Sequence, residues 1–185
     1  MKEELILVNE NDEPVGVEEK ITAHLNGVLH RAFSLFIFDS SGQLLLQKRT
    51  STKYHSQGLW SNTCCGHPRP GETIEQASRR RLQEEMGFDC AVHKVFEFVY
   101  RVQLDDGFSE HEYDHVFVGR FDGPPTPNHD EVDDWKWVDL ATLQHDIQTH
   151  PEHYTYWLRL SLDRLCRSVK TSASATIKDL LSAYL

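Results

Sequence analysis

The chain has 185 residues, of which 29 are acidic and 19 basic, so its formal net charge at pH 7 is −10. This surplus of negative charge argues against general nucleic-acid binding, which depends on cationic patches that displace counterions from phosphates. A hydrophobic content of 39% excludes a wholly disordered chain, and the length suits one domain around one core. No apolar run approaches the roughly 20 residues that span a bilayer, and we find no secretory signal.

Cysteine usage indicates a reducing compartment. The four cysteines, at positions 64, 65, 90 and 166, form a poor disulfide framework, because the two adjacent ones cannot easily join each other. Free thiols are the default in the cytosol. We therefore expect a cytoplasmic protein without a membrane or nucleic-acid partner and, because no long apolar stripe is left over, a monomer.

Hydrophobic patterning and turn residues predict mainly strands in the first part of the chain. The predicted strands are Leu5–Val8, Gly16–Lys20, Arg31–Phe38 and Gln43–Arg49. The run from Thr50 to Arg69 has no periodicity and predicts a loop of about 20 residues, a length that in compact domains is usually functional.

The second part of the chain has both predicted helices and predicted strands. Thr73 and Gln76 form a capping-box signature, which predicts a helix over Thr73–Met86 with Gly87 as its stop. Predicted strands follow at Val92–Val102, Glu110–Arg120 and Trp135–Val138, and predicted helices at Leu140–Ile147 and Tyr154–Val169. The tail from Lys170 is rich in Ser, Thr and Ala, and we interpret it as a loosely docked helix. Strands mixed with helices predict one domain of the α/β or α+β class.

The segment from Gly66 to Phe88 carries the most chemical information. Gly66 is followed after five residues by Glu72, after seven more by Arg80, and then by Leu82, Glu84-Glu85 and Gly87. This pattern resembles the Nudix box, in which carboxylates at a helix hold divalent cations against a diphosphate. Oxygen ligands suit such hard cations. The alternative is a solvated helix with ion pairs such as Arg80–Glu84, which the number of matched positions disfavours.

The box departs from the hydrolase pattern at one position. Nudix hydrolases have a glutamate directly after the box arginine, whereas this chain has Arg81. A cation cannot ligate a metal or activate a hydrolytic water, so hydrolysis is disfavoured. Arg81 and Glu85 lie one turn apart on the same helix face, so we expect Arg81 to contact a phosphate oxygen or to orient Glu85.

Histidines and glutamates from separate segments form a second constellation. Glu110 and Glu112 alternate on a predicted strand, so both carboxylates can approach one ion. Together with His24, His30 and His67 they suggest a six-coordinate site for Mn²⁺ or Mg²⁺, although imidazoles also admit Zn²⁺. The chain has 11 histidines, and most cannot be ligands. We expect the following at the surface: His55, His93, His145, His150 and His153.

Further segments resemble the type I isopentenyl diphosphate isomerases: Leu29-His30-Arg31-Ala32-Phe33, Trp60 to Pro68, and Tyr100-Arg101 with Glu110-x-Glu112. The resemblance extends from Lys20 to Trp157. It implies a Nudix fold, with a mixed sheet between helices, and an enzyme that interconverts isopentenyl and dimethylallyl diphosphate. It also suggests an N-terminal extension over residues 1–27 that contributes a metal ligand, a Nudix domain over 28–162 and a helical tail over 163–185.

The same resemblance implies roles for individual residues. It makes Cys65 and Glu112 the acid/base pair, with Tyr100 beside them and Trp157 covering the hydrocarbon. The implied ligands of the first metal are His24, His30, His67, Glu110 and Glu112, and Glu85 belongs to a second site, where Mg²⁺ bridges to the diphosphate. The implied phosphate contacts are Lys20, Arg49, Lys53 and Arg81.

Two other functions stay open at this point. A Nudix pyrophosphohydrolase of a nucleoside or isoprenoid diphosphate is opposed by Arg81. A non-catalytic diphosphate-binding module is opposed by the joint presence of Cys65 and Glu112. Trp157 lies on an amphipathic helix and could equally be a core residue.

Overall fold

The structure, a computed structural model, describes residues 3–104 and 107–171, with only the backbone over 169–171. The strands in these ranges are β1 (Glu4–Val8), β2 (Pro14–Glu19), β3 (His30–Phe38), β4 (Leu44–Arg49), β5 (Trp60–Ser61), β6 (Cys64–Gly66), β7 (Val92–Gln103), β8 (Ser109–Arg120) and β9 (Val132–Val138). The helices are α1 (Lys20–Asn26), α2 (Ile74–Met86), α3 (Leu140–Thr149) and α4 (Tyr156–Thr171), with a 3₁₀ turn at Pro151–His153. The predicted mixture of strands and helices in one domain is confirmed. The rest of the predicted tail, residues 172–185, lies outside the described residues.

Strand β3 organises the sheet, because it has partners on both edges. On one edge it runs parallel to β8, with His30 opposite Glu112. On the other edge it runs antiparallel to β6, with Ser34 opposite Cys65. His30 and Ser34 are four residues apart on β3 and share a face, so the register alone places Cys65 and Glu112 on the same face of the sheet.

The core lies on both faces of this sheet. Alternation along β3 sends Phe36 and Phe38 towards α3 and α4, where they pack with Leu158 and Leu162. The intervening residues, Leu35 and Ile37, face α2 and pack in the group that includes Ala77, Leu82 and Met86. The sheet therefore lies between α2 on one side and α3 and α4 on the other.

Helix α2 begins and ends as its sequence predicts. The Thr73 hydroxyl accepts a hydrogen bond from the Gln76 N–H, and the Gln76 side chain accepts one from the Thr73 N–H. Gly87 ends the helix with φ at 75°, and a Cβ there would lie 2.2 Å from the carbonyl oxygen of Thr126. Glycine is therefore required at this position.

Two local features differ from the sequence-based expectations. The predicted loop Thr50–Arg69 contains β5 and β6, two short strands whose pairing is decided by distant partners rather than by a local pattern. The predicted strand Gly16–Lys20 ends at Glu19, whose side chain accepts a hydrogen bond from the Thr22 N–H and starts helix α1. Within the described ranges, no helix is both long and apolar enough to cross a bilayer.

Candidate active site

A cavity opens on the face of the sheet that carries Cys65 and Glu112. The empty space inside it, with part of the open mouth included, is about 530 Å³. Among the residues predicted from the sequence, it is lined by Lys20, Arg49, Lys53, Cys65, His67, Arg81, Glu85, Glu110, Glu112 and Trp157. The other three, His24, His30 and Tyr100, contact the two glutamates at the cavity wall. The fold thus brings all the predicted site residues to one place.

His24, His30, His67 and Glu112 come close enough to share one ion, and Glu110 lies in a second such group, with His24 and His55. Ligand atoms of His24, His30, His67 and Glu112 all lie within 4.8 Å of one another. Nδ1 of His24 is 2.7 Å from the carbonyl oxygen of Lys20, and Nδ1 of His30 is 2.8 Å from that of Val28. A backbone carbonyl at Nδ1 fixes the proton there, which leaves Nε2 of each ring as the lone pair facing the cluster.

Three buried polar atoms in this cluster have no hydrogen-bond partner among the described residues. They are Nε2 of His30, Nδ1 of His67 and Oε2 of Glu110. Buried nitrogen and oxygen atoms are normally paired, so unpaired ones on neighbouring imidazoles and a carboxylate suit an ion site. Imidazole and carboxylate donors together suit a divalent transition metal or Mg²⁺. These residues therefore fit a divalent cation.

His67 and Glu110 hold the protonation states that metal binding needs. Burial lowers the pKa of His67 to about 4, so its imidazole is neutral at pH 7. Burial alone would raise the pKa of Glu110, but the imidazoles of His24 and His55 hold it well below its usual range. A neutral imidazole and an ionised carboxylate are the ligating forms.

Cys65 and Glu112 differ in how they hold protons. Burial raises the pKa of the Cys65 thiol to about 12, so the sulfur carries its proton at neutral pH. Burial and Glu110 raise the pKa of Glu112, but the imidazoles of His30 and His67 outweigh them and lower it overall. The Tyr100 hydroxyl donates to Oε2 of Glu112 over 2.7 Å and fixes that carboxylate. One group holds a transferable proton and the other can accept one.

Cationic side chains gather at another part of the cavity. Arg81 forms an ion pair with Glu85, and Gln47 donates to the second oxygen of that carboxylate over 2.8 Å. Lys53 forms an ion pair with Glu131, which also lies 3.6 Å from Arg81. Glu131 was not predicted from the sequence. It lies in an acidic run with no motif, and only its contacts across the fold show that it belongs here.

Trp157 forms a wall of the cavity together with Arg49. The indole N–H donates to the Ser61 hydroxyl over 2.9 Å, and the guanidinium of Arg49 lies 5.2 Å from the ring centroid. Arg49 also donates to the backbone carbonyls of His55 and Ser56, each over 3.2 Å. Its charge therefore holds the segment after β4 against the indole.

The prediction that His55 lies at the surface is wrong. Its side chain is 5% exposed, and Nε2 lies 3.0 Å from Oε1 of Glu110. The ring meets Trp157 edge-on, with centroids 5.8 Å apart. The two carbonyl contacts of Arg49 turn this segment inwards, and no local pattern in the sequence signals that turn. The other four histidines assigned to the surface are exposed.

Comparison with known proteins places the chain among relatives of similar length. A model of the NUDIX domain family matches residues 28–159. Isopentenyl-diphosphate Delta-isomerase 2 of Aromatoleum aromaticum is 54% identical over 180 residues, which cover 96% of this chain and 95% of that protein. Isopentenyl-diphosphate Delta-isomerase 1 of the same organism is 57% identical over 169 residues, covering 90% and 96%.

Solved structures share the fold at lower identity. DR0079 of Deinococcus radiodurans superimposes with a TM-score of 0.74 at 23% identity, over 88% of this chain and 98% of that one. A MutT protein of Methanosarcina mazei gives a TM-score of 0.64 at 18% identity, over 77% and 96%. At these identities the likeness concerns the fold.

Proposed function

This chain belongs to the NUDIX domain family and, within it, to the isopentenyl-diphosphate Delta-isomerases, and we propose on that basis that it converts isopentenyl diphosphate into dimethylallyl diphosphate. It is an isomerase. The observation that carries the proposal is the pair of Cys65 and Glu112, which line one cavity beside a cationic cluster. The pKa of the Cys65 thiol is raised, so it keeps its proton, whereas the pKa of the Glu112 carboxyl is lowered, so it can accept one.

The reaction moves a double bond by exchanging two protons. One group of the pair adds a proton to the terminal alkene carbon, C4, which leaves a tertiary cation at C3. The other group removes a proton from C2, and the electrons of that C–H bond form the new double bond. The substrate gains one proton and loses one, so no other reactant is needed. Two separate groups avoid moving a single residue between the carbons.

The hydrocarbon end of the substrate requires a dry, electron-rich wall. We place it against Trp157, whose ring faces the cavity and is 4% exposed. A cation over an aromatic face gains roughly 2 kcal/mol or more once water is excluded. Exclusion of water also protects the cation from capture.

The diphosphate belongs at the cationic part of the cavity. We assign its contacts to Lys20, Arg49, Lys53 and Arg81. We further assign Mg²⁺ to Glu85, and Mn²⁺ or Mg²⁺, with Zn²⁺ as the alternative, to His24, His30, His67, Glu110 and Glu112. Bound cations would neutralise the diphosphate and hold the carboxylates in place. Arg81 occupies the position where a hydrolase has a carboxylate, and its ion pairs with Glu84 and Glu85 support a positioning role.

Product analysis tests this function directly. The purified protein is incubated with isopentenyl diphosphate and Mg²⁺, with Mn²⁺ added in a parallel sample, and both the carbon skeleton and free phosphate are followed by NMR. We expect dimethylallyl diphosphate with no release of phosphate or diphosphate. Phosphate release without an isomer would identify a hydrolase. Substrate binding without either product would identify a binding module.

We also propose that the protein acts in the cytoplasm as a monomer, on a small molecule and without nucleic-acid or membrane partners. The free thiols of Cys64, Cys65, Cys90 and Cys166 support the reducing compartment. Light scattering tests the monomer. The division into residues 1–27, 28–162 and 163–185 is likewise a proposal, which the family match over 28–159 supports.

A further inference from the structure

His55 is a buried imidazole that the proposed reaction does not use. We propose that it is a positioning residue, which donates its Nε2–H to Oε1 of Glu110 and thereby aims Oε2 of that carboxylate at Nε2 of His24, within the proposed metal site. The inference rests on the proposed metal site, because it concerns how one of its ligands is held.

The hydrogen bonds of His55 define its tautomer. Nε2 lies 3.0 Å from Oε1 of Glu110, and an ionised carboxylate can only accept a hydrogen bond. Nε2 therefore carries the hydrogen. Nδ1 lies 3.3 Å from the hydroxyl of Ser56, which can donate to it. Both ring nitrogens thus have protein partners, unlike Nε2 of His30 and Nδ1 of His67. His24, His55 and Glu110 also lie close enough to hold an ion, so the test must separate positioning by His55 from ligation.

The carboxylate of Glu110 is held at one oxygen and free at the other. Oε2 lies 3.2 Å from Nε2 of His24, is buried, and accepts no hydrogen bond from the described residues. Without a partner at Oε1, the carboxylate could turn about its last bond. A hydrogen bond from outside the ligand set, at the oxygen away from the metal, is how proteins commonly orient such ligands.

The His55 ring is itself fixed on several sides. Its backbone carbonyl accepts from Arg49 over 3.2 Å, and the ring meets Tyr54 and Trp157 edge-on, at centroid distances of 4.3 and 5.8 Å. The next residue, Ser56, has φ at 49°, a left-handed conformation that is unfavourable for a residue with a side chain. Such strain persists where the surroundings enforce it, and here it accompanies the inward turn of His55.

Three variants separate positioning from ligation and from simple packing. His55→Phe keeps an aromatic ring against Tyr54 and Trp157 but removes the N–H. His55→Gln restores an amide N–H donor without the imidazole. His115→Phe is the matched control, since His115 is also buried and contacts a carboxylate, Asp12, over 3.0 Å, on the strand that carries Glu110. The readout is the Mn²⁺ dissociation constant, measured by titration without substrate.

We expect His55→Phe to weaken Mn²⁺ binding by about 10- to 100-fold, as for other partners outside a ligand set. His55→Gln should recover most of the affinity, and His115→Phe should match the wild type. Unchanged affinity in His55→Phe would overturn the inference. Equal weakening in both His55 variants would also overturn it, because His55 would then act as a ligand.

A second measurement does not depend on whether the His55 variants fold, because it is made on the wild-type protein. In the metal-free wild-type protein, ¹⁵N NMR should find the hydrogen of the His55 ring on Nε2, and Ser56→Gly, which suits the left-handed backbone, should fold and leave that hydrogen in place. A hydrogen on Nδ1 instead would contradict the proposed contact. Neither measurement uses turnover, so failure here leaves the isomerase proposal standing, and absence of isomerase activity leaves the Mn²⁺ result interpretable.

Discussion

Cys65 and Cys64 are adjacent in sequence, but their side chains point to opposite faces of the sheet. Cys65 lines the cavity, whereas Cys64 packs in the fully buried group beside α2. Alternation along β6 causes this division, so one thiol can meet a substrate and the other cannot. The pair therefore supplies its own control for the role of the thiol.

We predict that Cys65→Ala lowers kcat by roughly 10²- to 10⁴-fold, the usual contribution of a proton-transfer group, with the fold and the bound metal retained. Cys64→Ala should keep turnover within a few-fold, with some loss of stability from the lost packing. Steady-state kinetics and metal analysis of both variants provide the measurement. Near-normal turnover in Cys65→Ala would mean that a different group transfers the proton.

A residue's place in the candidate site was predictable from the sequence only where the residue belongs to a motif or a periodic pattern. Cys65, His67 and Glu85 lie in or beside the box, and Glu110 and Glu112 follow strand alternation, so their placement at one site was predictable. His55 and Glu131 have no such pattern. His55 is brought inwards by contacts of Arg49, and Glu131 joins the cationic cluster by pairing with Lys53; both contacts depend on the folded chain.

Among the elements, α2 presents Arg81 and Glu85 to the cavity from one face. Its start depends on the reciprocal hydrogen bonds between Thr73 and Gln76. Removal of such a cap costs about 1 kcal/mol, which lowers Tm by about 2–4 °C in a domain of this size.

We predict that Thr73→Ala lowers Tm by this amount, as measured by thermal denaturation. Thr73→Ser keeps the hydroxyl and should remain close to the wild type. If Thr73→Ala melts at the wild-type temperature, the cap does not contribute to the stability of α2.

Elements with strong local signals were predictable, and those defined by partners were not. Strand β3 has a continuous run of aromatic and branched residues, and α2 has both of its ends marked. By contrast, α1 is seven residues long and begins at a glutamate, an uncommon cap, while β6 is three residues that form a strand only because β3 pairs with them. Family membership, and with it the mixed sheet between helices, was predicted from the box and is confirmed by the relatives.

At the scale of the whole molecule, the proposed metal site connects segments that are distant in sequence. Its ligands come from α1, the start of β3, the residue after β6, and β8: His24, His30, His67, Glu110 and Glu112. A ligand that binds only the folded state stabilises it by mass action, by about 2.7 kcal/mol at a concentration 100 times its dissociation constant.

Removal of metal should therefore lower Tm by roughly 5–10 °C, and Mn²⁺ should restore it. Differential scanning calorimetry with and without a chelator measures the change. In His24→Ala the metal-dependent part of Tm should shrink, whatever the stability of the metal-free variant. If the wild-type protein melts at the same temperature with and without metal, these residues do not form a metal site.

In the proposed reaction a thiol and a carboxyl exchange protons with a carbon skeleton while the diphosphate stays intact. Because both groups exchange with solvent between turnovers, the reaction in deuterated water tests it most directly. We predict dimethylallyl diphosphate with deuterium in the methyl group derived from C4. An isomer without deuterium, or loss of diphosphate with no isomer, would rule out proton exchange by this pair.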